Sequence, residues 1–567
     1  MIELVDRLRK LPAYTTLSIG ILLCACASSE RSAGPTNGTR ILSDGGQDDG
    51  APDASADPQA DARSGAEPPD AQPGSEAGPP DPEPPPPPGG FDWVGILGTG
   101  QSLSDGDHGV PVVNNAQPYH NLKLLDTGPD PKYPIDGGGI LSLVPLVELI
   151  RPRLAGYEDA GGEYPDNIRG ETPHSGMANQ ISALSLAQAK RDYVTVHSEV
   201  GWGGKCIGRI NKAGGWRAYP GSLAEARAFA RMAKAAGKSF GYGAIVLTHG
   251  ECDSTNQNYA AEVRQLWADY NADLKAITGQ NTDIPLLISQ QSTRPLGPAP
   301  GTSASALAAW RLGVDHPAQI VCTGPKYQYA YASDLIHLDA PGYVRLGQKY
   351  GQVYYQMAVL GMPWKPLQPV SVKRSGAKIV VTFEVPVPPL NWDATLPSPH
   401  QTVNSQWAQG KGFEALDSTG PLTIQSVTIV GSTVEITLAA TPTGTNLVVR
   451  YAMTQDGAAN AGGTADGHMG LLRDSDGFVG YDAEVIRCNV TQGSTSVTSV
   501  APNGFSRRAG RDDVAGASLP SDTIVASKLS DGQITLSRPW SGPSGTADLS
   551  MHHDHHNYAV HFEMPVP

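Results

Sequence analysis

Between residues 91 and 362 short apolar runs alternate with longer helical patterns. The runs fall at Val94–Leu97, Tyr193–Val196, Tyr242–Leu247, Ile284–Ser289 and Ile320–Cys322, and the helical patterns include Ser222 to about Gly237 and about Tyr259 to Ile277. Apolar strands alternating with helices predict a parallel sheet covered on both faces, the α/β class. In an open sheet of this kind, ligands bind beyond the carboxyl ends of the strands. The residues directly after each run are therefore where chemistry is to be sought.

The first run breaks into Gly98-Thr-Gly-Gln-Ser102. A tight turn there projects the Ser102 hydroxyl above the sheet edge and frees backbone N–H groups to hold an anion, so Ser102 is the candidate nucleophile. After the second run come Gly203 and Gly204, and paired glycines let the backbone approach a ligand closely, as an oxyanion donor must. The third run delivers His249-Gly250-Glu251-Cys252-Asp253. Far downstream, Asp334-Leu-Ile-His337 precedes a long helical pattern. A spacing of three places Asp334 against one imidazole nitrogen of His337 and turns the other toward a serine, the arrangement of orienter, base and nucleophile. Residues 104–170, rich in glycine and proline, predict loops over the sheet edge. His174 is expected at a solvated helix start.

Taken in order, Gly100-Gln101-Ser102, Gly203-Gly204, His249–Asp253 and Asp334-x-x-His337 resemble the sequence blocks of the SGNH (GDSL-like) hydrolases. The Gly-Gln-Ser block is similar to that of the sialate O-acetylesterase and acetyl xylan esterase branch. The resemblance covers residues 91–362 and implies a three-layer α/β/α, flavodoxin-like hydrolase domain. It implies a serine esterase that removes O-acetyl groups from an acetylated oligo- or polysaccharide through an acyl-enzyme, with Ser102, Asp334 and His337 catalytic and no cofactor or metal. It further implies an oxyanion hole formed by the N–H groups of Ser102 and Gly204 with His249, which stands where relatives carry Gln or Asn and donates in only one tautomer. Gln101, Gly203 and Glu251 are expected to support the site. Cys206 and Cys252 lie beside two of the blocks, and either a disulfide or two buried thiols fits them. The alternative from another class is an inactive surface carbohydrate-binding or adhesive protein.

Composition sets the organisation around this region. Residues 41–90 hold eleven Asp/Glu against one Arg, with thirteen prolines and few large apolar side chains, so they cannot bury enough surface to fold. The whole chain carries −15; with −10 there and +2 in residues 1–40, the remainder holds −7. A mildly acidic region without a basic stripe argues against a nucleic-acid partner. Arg7, Arg9 and Lys10 before the short apolar segment Leu17–Leu23 have the layout of an export signal, residues 1–25. Leu23-Cys-Ala-Cys26 resembles a lipoprotein box with Cys26 as the lipidated residue, and an ordinary cleaved signal is the other reading. The expectation is a bacterial cell-envelope protein, lipid-anchored or secreted, with residues 26–90 as a tether.

From Pro363 the pattern turns to short alternating strands, which predict a β-sandwich over 363–486 and 551–567 with a small β-module inserted at 487–550. The run His552-His553-Asp554-His555-His556 is expected as a solvated β-turn, because adjacent histidines on a strand point different ways and cannot readily share a metal.

Overall fold

The computed structural model describes residues 90–126, 141–151, 168–214, 218–292, 302–396, 398–399, 404–453, 469–506, 508 and 511–567. The signal segment, Cys26 and the tether, apart from Gly90, lie outside the described residues.

A seven-stranded sheet organises the first half. Its strands are β1 (Trp93–Gly100), β2 (Leu122–Asp126), β3 (Leu141–Pro145), β4 (Val194–Gly201), β5 (Phe240–Thr248), β6 (Leu286–Ser289) and β7 (Ile320–Gly324), in the order β3-β2-β4-β1-β5-β6-β7. All neighbours pair parallel except β3 with β2. Leaving aside that antiparallel pair, β4-β1-β5-β6-β7 is the 2-1-3-4-5 order of a doubly wound sheet, whose switch point lies between β1 and β5. The helices are α1 (Pro173–Leu184), α2 (Ile207–Ile210), α3 (Ala218–Ala235), α4 (Tyr259–Thr278), α5 (Ala304–Asp315) and α6 (Ala340–Tyr354).

Alternate residues of the strands face opposite layers. Leu97, Ile245 and Leu247 pack with residues of α3, α4 and α5, such as Phe229, Leu266 and Leu312. Ile96, Ala244 and Val246 pack with Met177 and Ile181 of α1 and Leu346 and Val353 of α6. Each fully buried aliphatic side chain contributes roughly 1.5–3 kcal/mol over leaving it exposed. Helices α1 and α6 cross closely: a β-carbon at Gly347 would lie 2.1 Å from the Pro173 carbonyl oxygen. That contact sets α6, and with it the loop carrying His337, against the helix that carries His174.

Two expectations need correction in this half. The region 104–170 is not all loop, since β2 and β3 extend the sheet beyond β4. Helix α3 begins at Ala218, ahead of the start expected at Ser222, whose hydroxyl donates to the Ala218 carbonyl and meets the Tyr270 hydroxyl.

Beyond residue 367 the described strands are all antiparallel. Two four-stranded sheets share one core: Phe413–Asp417, Val448–Tyr451, Phe562–Pro565 and Gly420–Pro421 form one, and Gln368–Ser375, Lys378–Glu384, Ile424–Val430 and Thr433–Leu438 the other. A six-stranded sheet with its own core lies between Glu484 and His552, whose first and last residues pair nearly end to end through Glu484↔Met551 and Val490↔Gly545.

The last described residues stitch both halves into one compact unit. The Tyr327 hydroxyl donates to the Ala559 carbonyl at 2.7 Å, Gln290 Nε2 to the His561 carbonyl at 2.9 Å, and His561 Nε2 meets Ser292 Oγ at 2.8 Å. The histidine run corrects a third expectation. It is no solvated turn, because His555 is buried with Nε2 2.7 Å from Gln348 Oε1, and its carbonyl accepts from the buried Lys349 ammonium of α6.

Candidate active site

The turn that carries Ser102 is made by a glycine. Gly100 has φ +154°, and a β-carbon there would lie 2.2 Å from the Thr248 carbonyl oxygen at the end of β5, so the chain can bend only without a side chain. The Gln101 amide donates to that same carbonyl, and the Ser104 and Asp105 amides close back on the Gln101 carbonyl. Ser102 stands at the head of this turn, above the switch point.

His337 reaches it from a sequence separation of 235 residues, its Nε2 2.7 Å from Ser102 Oγ. Its Nδ1 lies 2.5 Å from Asp334 Oδ2, while Asp334 Oδ1 accepts the amides of Ile336 and His337, both at 3.1 Å. Leu335 between them takes φ +56°, a left-handed bend that this carboxylate holds in place. Asp339 caps α6 directly afterwards by accepting the Gly342 amide. Burial by itself would raise the Asp334 carboxyl, but the bonds from the His337 ring and from the two amides outweigh it and hold its pKa at about 2. The ring proton therefore sits on Nδ1, and the Nε2 lone pair accepts the serine hydroxyl. Such a chain of groups can take a proton from a hydroxyl as it attacks a carbonyl.

Gly204 lies on the turn after β4 with φ +67°, and its amide and that of Ser102 donate to no acceptor among the described residues. Trp202 is fixed by its amide N–H, which donates to the Gly100 carbonyl, and a disulfide joins Cys206 to Cys252. The Cys252 amide in turn donates to Gln101 Oε1 at 3.3 Å. Of the two pairings left open by the sequence, the disulfide is the one present.

His249 requires a correction. Its Nε2 lies 3.0 Å from the Lys205 carbonyl and must carry the proton, while Nδ1 faces the Tyr259 hydroxyl at 3.0 Å. No N–H remains for an oxyanion, and the ring is buried, which pushes its pKa down. Glu251 pairs with the buried ammonium of Lys326 at 2.7 Å. Burial favours protonation of Glu251, and the Lys326 charge outweighs it.

No protein-family model and no curated protein matches the chain. Among solved structures it is similar to a carbohydrate acetylesterase from Xanthomonas citri, with 14% identity and a TM-score of 0.40 over 64% of this chain and 75% of that one. A protein from Arabidopsis thaliana matches at 16% identity and a TM-score of 0.32, over 47% of this chain and 99% of that one. A carbohydrate acetylesterase from Sinorhizobium meliloti matches at 13% and 0.23, over 47% and 99%. At such values the chemistry has to be read from the site itself.

Under the turn lie three buried residues, of which His197 and Glu199 go unmarked in the sequence reading and His174 takes a different place from the one expected. His174 is no solvated helix start: its Nε2 lies 2.8 Å from Glu199 Oε2, and its Nδ1 lies 3.0 Å from His197 Nδ1. Glu199 Oε1 accepts the Ser104 hydroxyl at 2.5 Å, which ties the network to the nucleophile turn. Burial and the neighbouring His174 push the His197 pKa well down. A signal was present, since Thr195, His197 and Glu199 alternate along a strand buried on both faces, where apolar residues are the rule. Asp107 and His108, beside the triad, follow the nucleophile too closely for spacing to single them out.

Proposed function

We propose that the chain is an SGNH-type serine esterase that removes O-acetyl groups from a carbohydrate. The observation that carries the ester chemistry is the unbroken chain from Asp334 through His337 to Ser102, at 2.5 and 2.7 Å. The acetyl group and the carbohydrate rest on the likeness of the four sequence blocks, and the envelope location rests on the layout of residues 1–26 with Cys26 as lipid anchor.

Ser102 Oγ attacks the ester carbonyl as His337 Nε2 takes its proton. The carbonyl oxygen gains the negative charge, which the amides of Ser102 and Gly204 hold without His249. Collapse of the intermediate breaks the bond to the sugar oxygen, which receives the proton from Nε2, and leaves acetyl on Ser102. Water, deprotonated by the same nitrogen, then releases acetate and restores the hydroxyl. Asp334 stays ionised throughout and keeps the ring oriented.

The test is acetate release from acetylated glycans and from a small chromogenic acetate by the full chain. Ser102→Ala and His337→Ala are each expected to lower kcat/KM by about a thousandfold or more while the thermal melt is retained. Sugar binding without ester hydrolysis in the wild type would favour the inactive carbohydrate-binding protein instead.

A further inference from the structure

Two side chains beside the triad have no part in the mechanism above. Asp107 lies five residues after the nucleophile, and its backbone is pinned on both sides: its amide donates to the Ser102 carbonyl at 3.0 Å, and its carbonyl accepts the Tyr343 hydroxyl at 2.8 Å. Its Oδ2 is 3.9 Å from His337 Nε2 and 3.3 Å from Arg169 Nη1. Its Oδ1 is 3.2 Å from Nδ1 of His108. The His108 ring stacks on the His337 ring, with centroids 4.9 Å apart and planes 7° off parallel, and 43% of its side chain stays exposed. His108 takes φ +63°, which side chains other than glycine seldom adopt. The bend is enforced nearby, where a β-carbon at Gly106 would lie 2.3 Å from the Glu171 carbonyl oxygen.

A metal reading of Asp107, His108 and His337 fails on geometry. Their ligand atoms lie within 4.8 Å of one another, but two parallel stacked imidazoles direct their in-plane lone pairs along separate planes, and the pairs do not converge on one ion.

The proton path gives the other reading. His337 Nε2 must protonate the departing alcohol oxygen, so that oxygen sits within hydrogen-bond reach of Nε2 during acylation. Asp107 Oδ2 faces the same nitrogen from 3.9 Å. A hydroxyl on the carbon next to the ester oxygen then comes within reach of this carboxylate, which can only accept. The part-exposed imidazole of His108, stacked on His337, is a second polar group beside it. Resting on the esterase reading, we propose that Asp107 and His108 form the subsite for the leaving alcohol and select esters whose alcohol carries a free hydroxyl on the adjacent carbon, as a partly acetylated sugar does.

A matched pair of small esters tests this with the full chain: the monoacetate of trans-cyclohexane-1,2-diol and cyclohexyl acetate, which lacks only the hydroxyl. Each rate is referred to that of hydroxide-catalysed hydrolysis, so that the intrinsic reactivity of the two esters cancels. The expected wild-type preference for the diol ester in kcat/KM is about tenfold, the scale of one charge-assisted hydrogen bond at a partly exposed site. Asp107→Ala and the shape-preserving Asp107→Asn are expected to bring the ratio to within about twofold of unity. His108→Asn, which tolerates the left-handed backbone, is expected to fall between. A merely structural role for Asp107 lowers both rates together and leaves the ratio intact. A wild-type ratio near unity, or one that neither Asp107 variant moves, overturns the subsite while leaving the esterase reading standing. Failure of the wild type to hydrolyse either ester overturns both.

Discussion

The disulfide between Cys206 and Cys252 ties together the three loops that make the nucleophile turn and its oxyanion side. Cys206 follows the Gly203-Gly204 turn, and Cys252 holds Gln101, the neighbour of Ser102, through its amide. The bridge closes a sequence separation of 46 residues, and a loop of that length corresponds to about 4 kcal/mol of unfolded-chain entropy at 25 °C. The Cys206→Ser/Cys252→Ser double variant is expected to lose stability of that order. With a urea dependence near 3 kcal/mol per M, the unfolding midpoint falls by about 1 M. Catalysis suffers separately, because the Gly204 amide is placed only by its turn and the bridge two residues on. A donor displaced by about 1 Å costs on the order of a hundredfold, so kcat is expected to fall by a factor of about 10 to 100 with a smaller change in KM. The measurements are urea titrations followed by tryptophan fluorescence and initial rates on a chromogenic acetate. An unchanged urea midpoint with an unchanged kcat would refute the view that this bridge positions the site.

Two further outcomes follow from the site. His249→Ala leaves the Tyr259 hydroxyl and the Lys205 carbonyl without their buried partner, so it is expected to lower stability by about 1–3 kcal/mol while kcat falls less than tenfold; a hundredfold loss of kcat at unchanged stability would restore His249 to the oxyanion hole. The Asp334 carboxyl, held at about 2 against an ordinary 3.8, contributes about 1 kcal/mol once solvent screening at this partly exposed site is allowed for, fully present above about pH 4 and lost as pH falls through about 2. Acid titrations of Asp334→Asn should therefore lack that part of the wild-type stability loss, and identical acid curves would count against the assignment.

The parts of this fold that are visible in the sequence are local ones. The runs of β1, β5 and β7 show because a strand buried on both faces must be apolar throughout, and Asp334 with His337 shows because three residues make one turn. What stays hidden depends on partners distant in the chain. The tautomer of His249 is decided by Lys205 and Tyr259 together, and no spacing brings those three into one view. His174 reads as solvated because a polar residue in a first helical turn usually is, and only Glu199 on a different element reverses that. Ser222 marks the expected start of a helix by pattern, yet the helix continues backward to Ala218, which is buried in the core with the later alanines of α3. His555 of the histidine run is buried against Gln348 of α6, more than 200 residues upstream.

The stitching of residues 555–561 onto Ser292, Tyr327 and Lys349 has a consequence for the order in which the molecule can be made. His337 leaves the ribosome more than 200 residues ahead of His561. At 5–20 residues per second, roughly 10–45 s pass between the appearance of His337 and that of the strand that seals the seam beside it. Throughout that interval Gln290, Ser292, Tyr327 and Lys349 lack the groups that satisfy them in the finished molecule. Ser102, Asp334 and His337 are thus all synthesised before the residues whose backbone and side chains complete the hydrogen bonding of the layer beneath them.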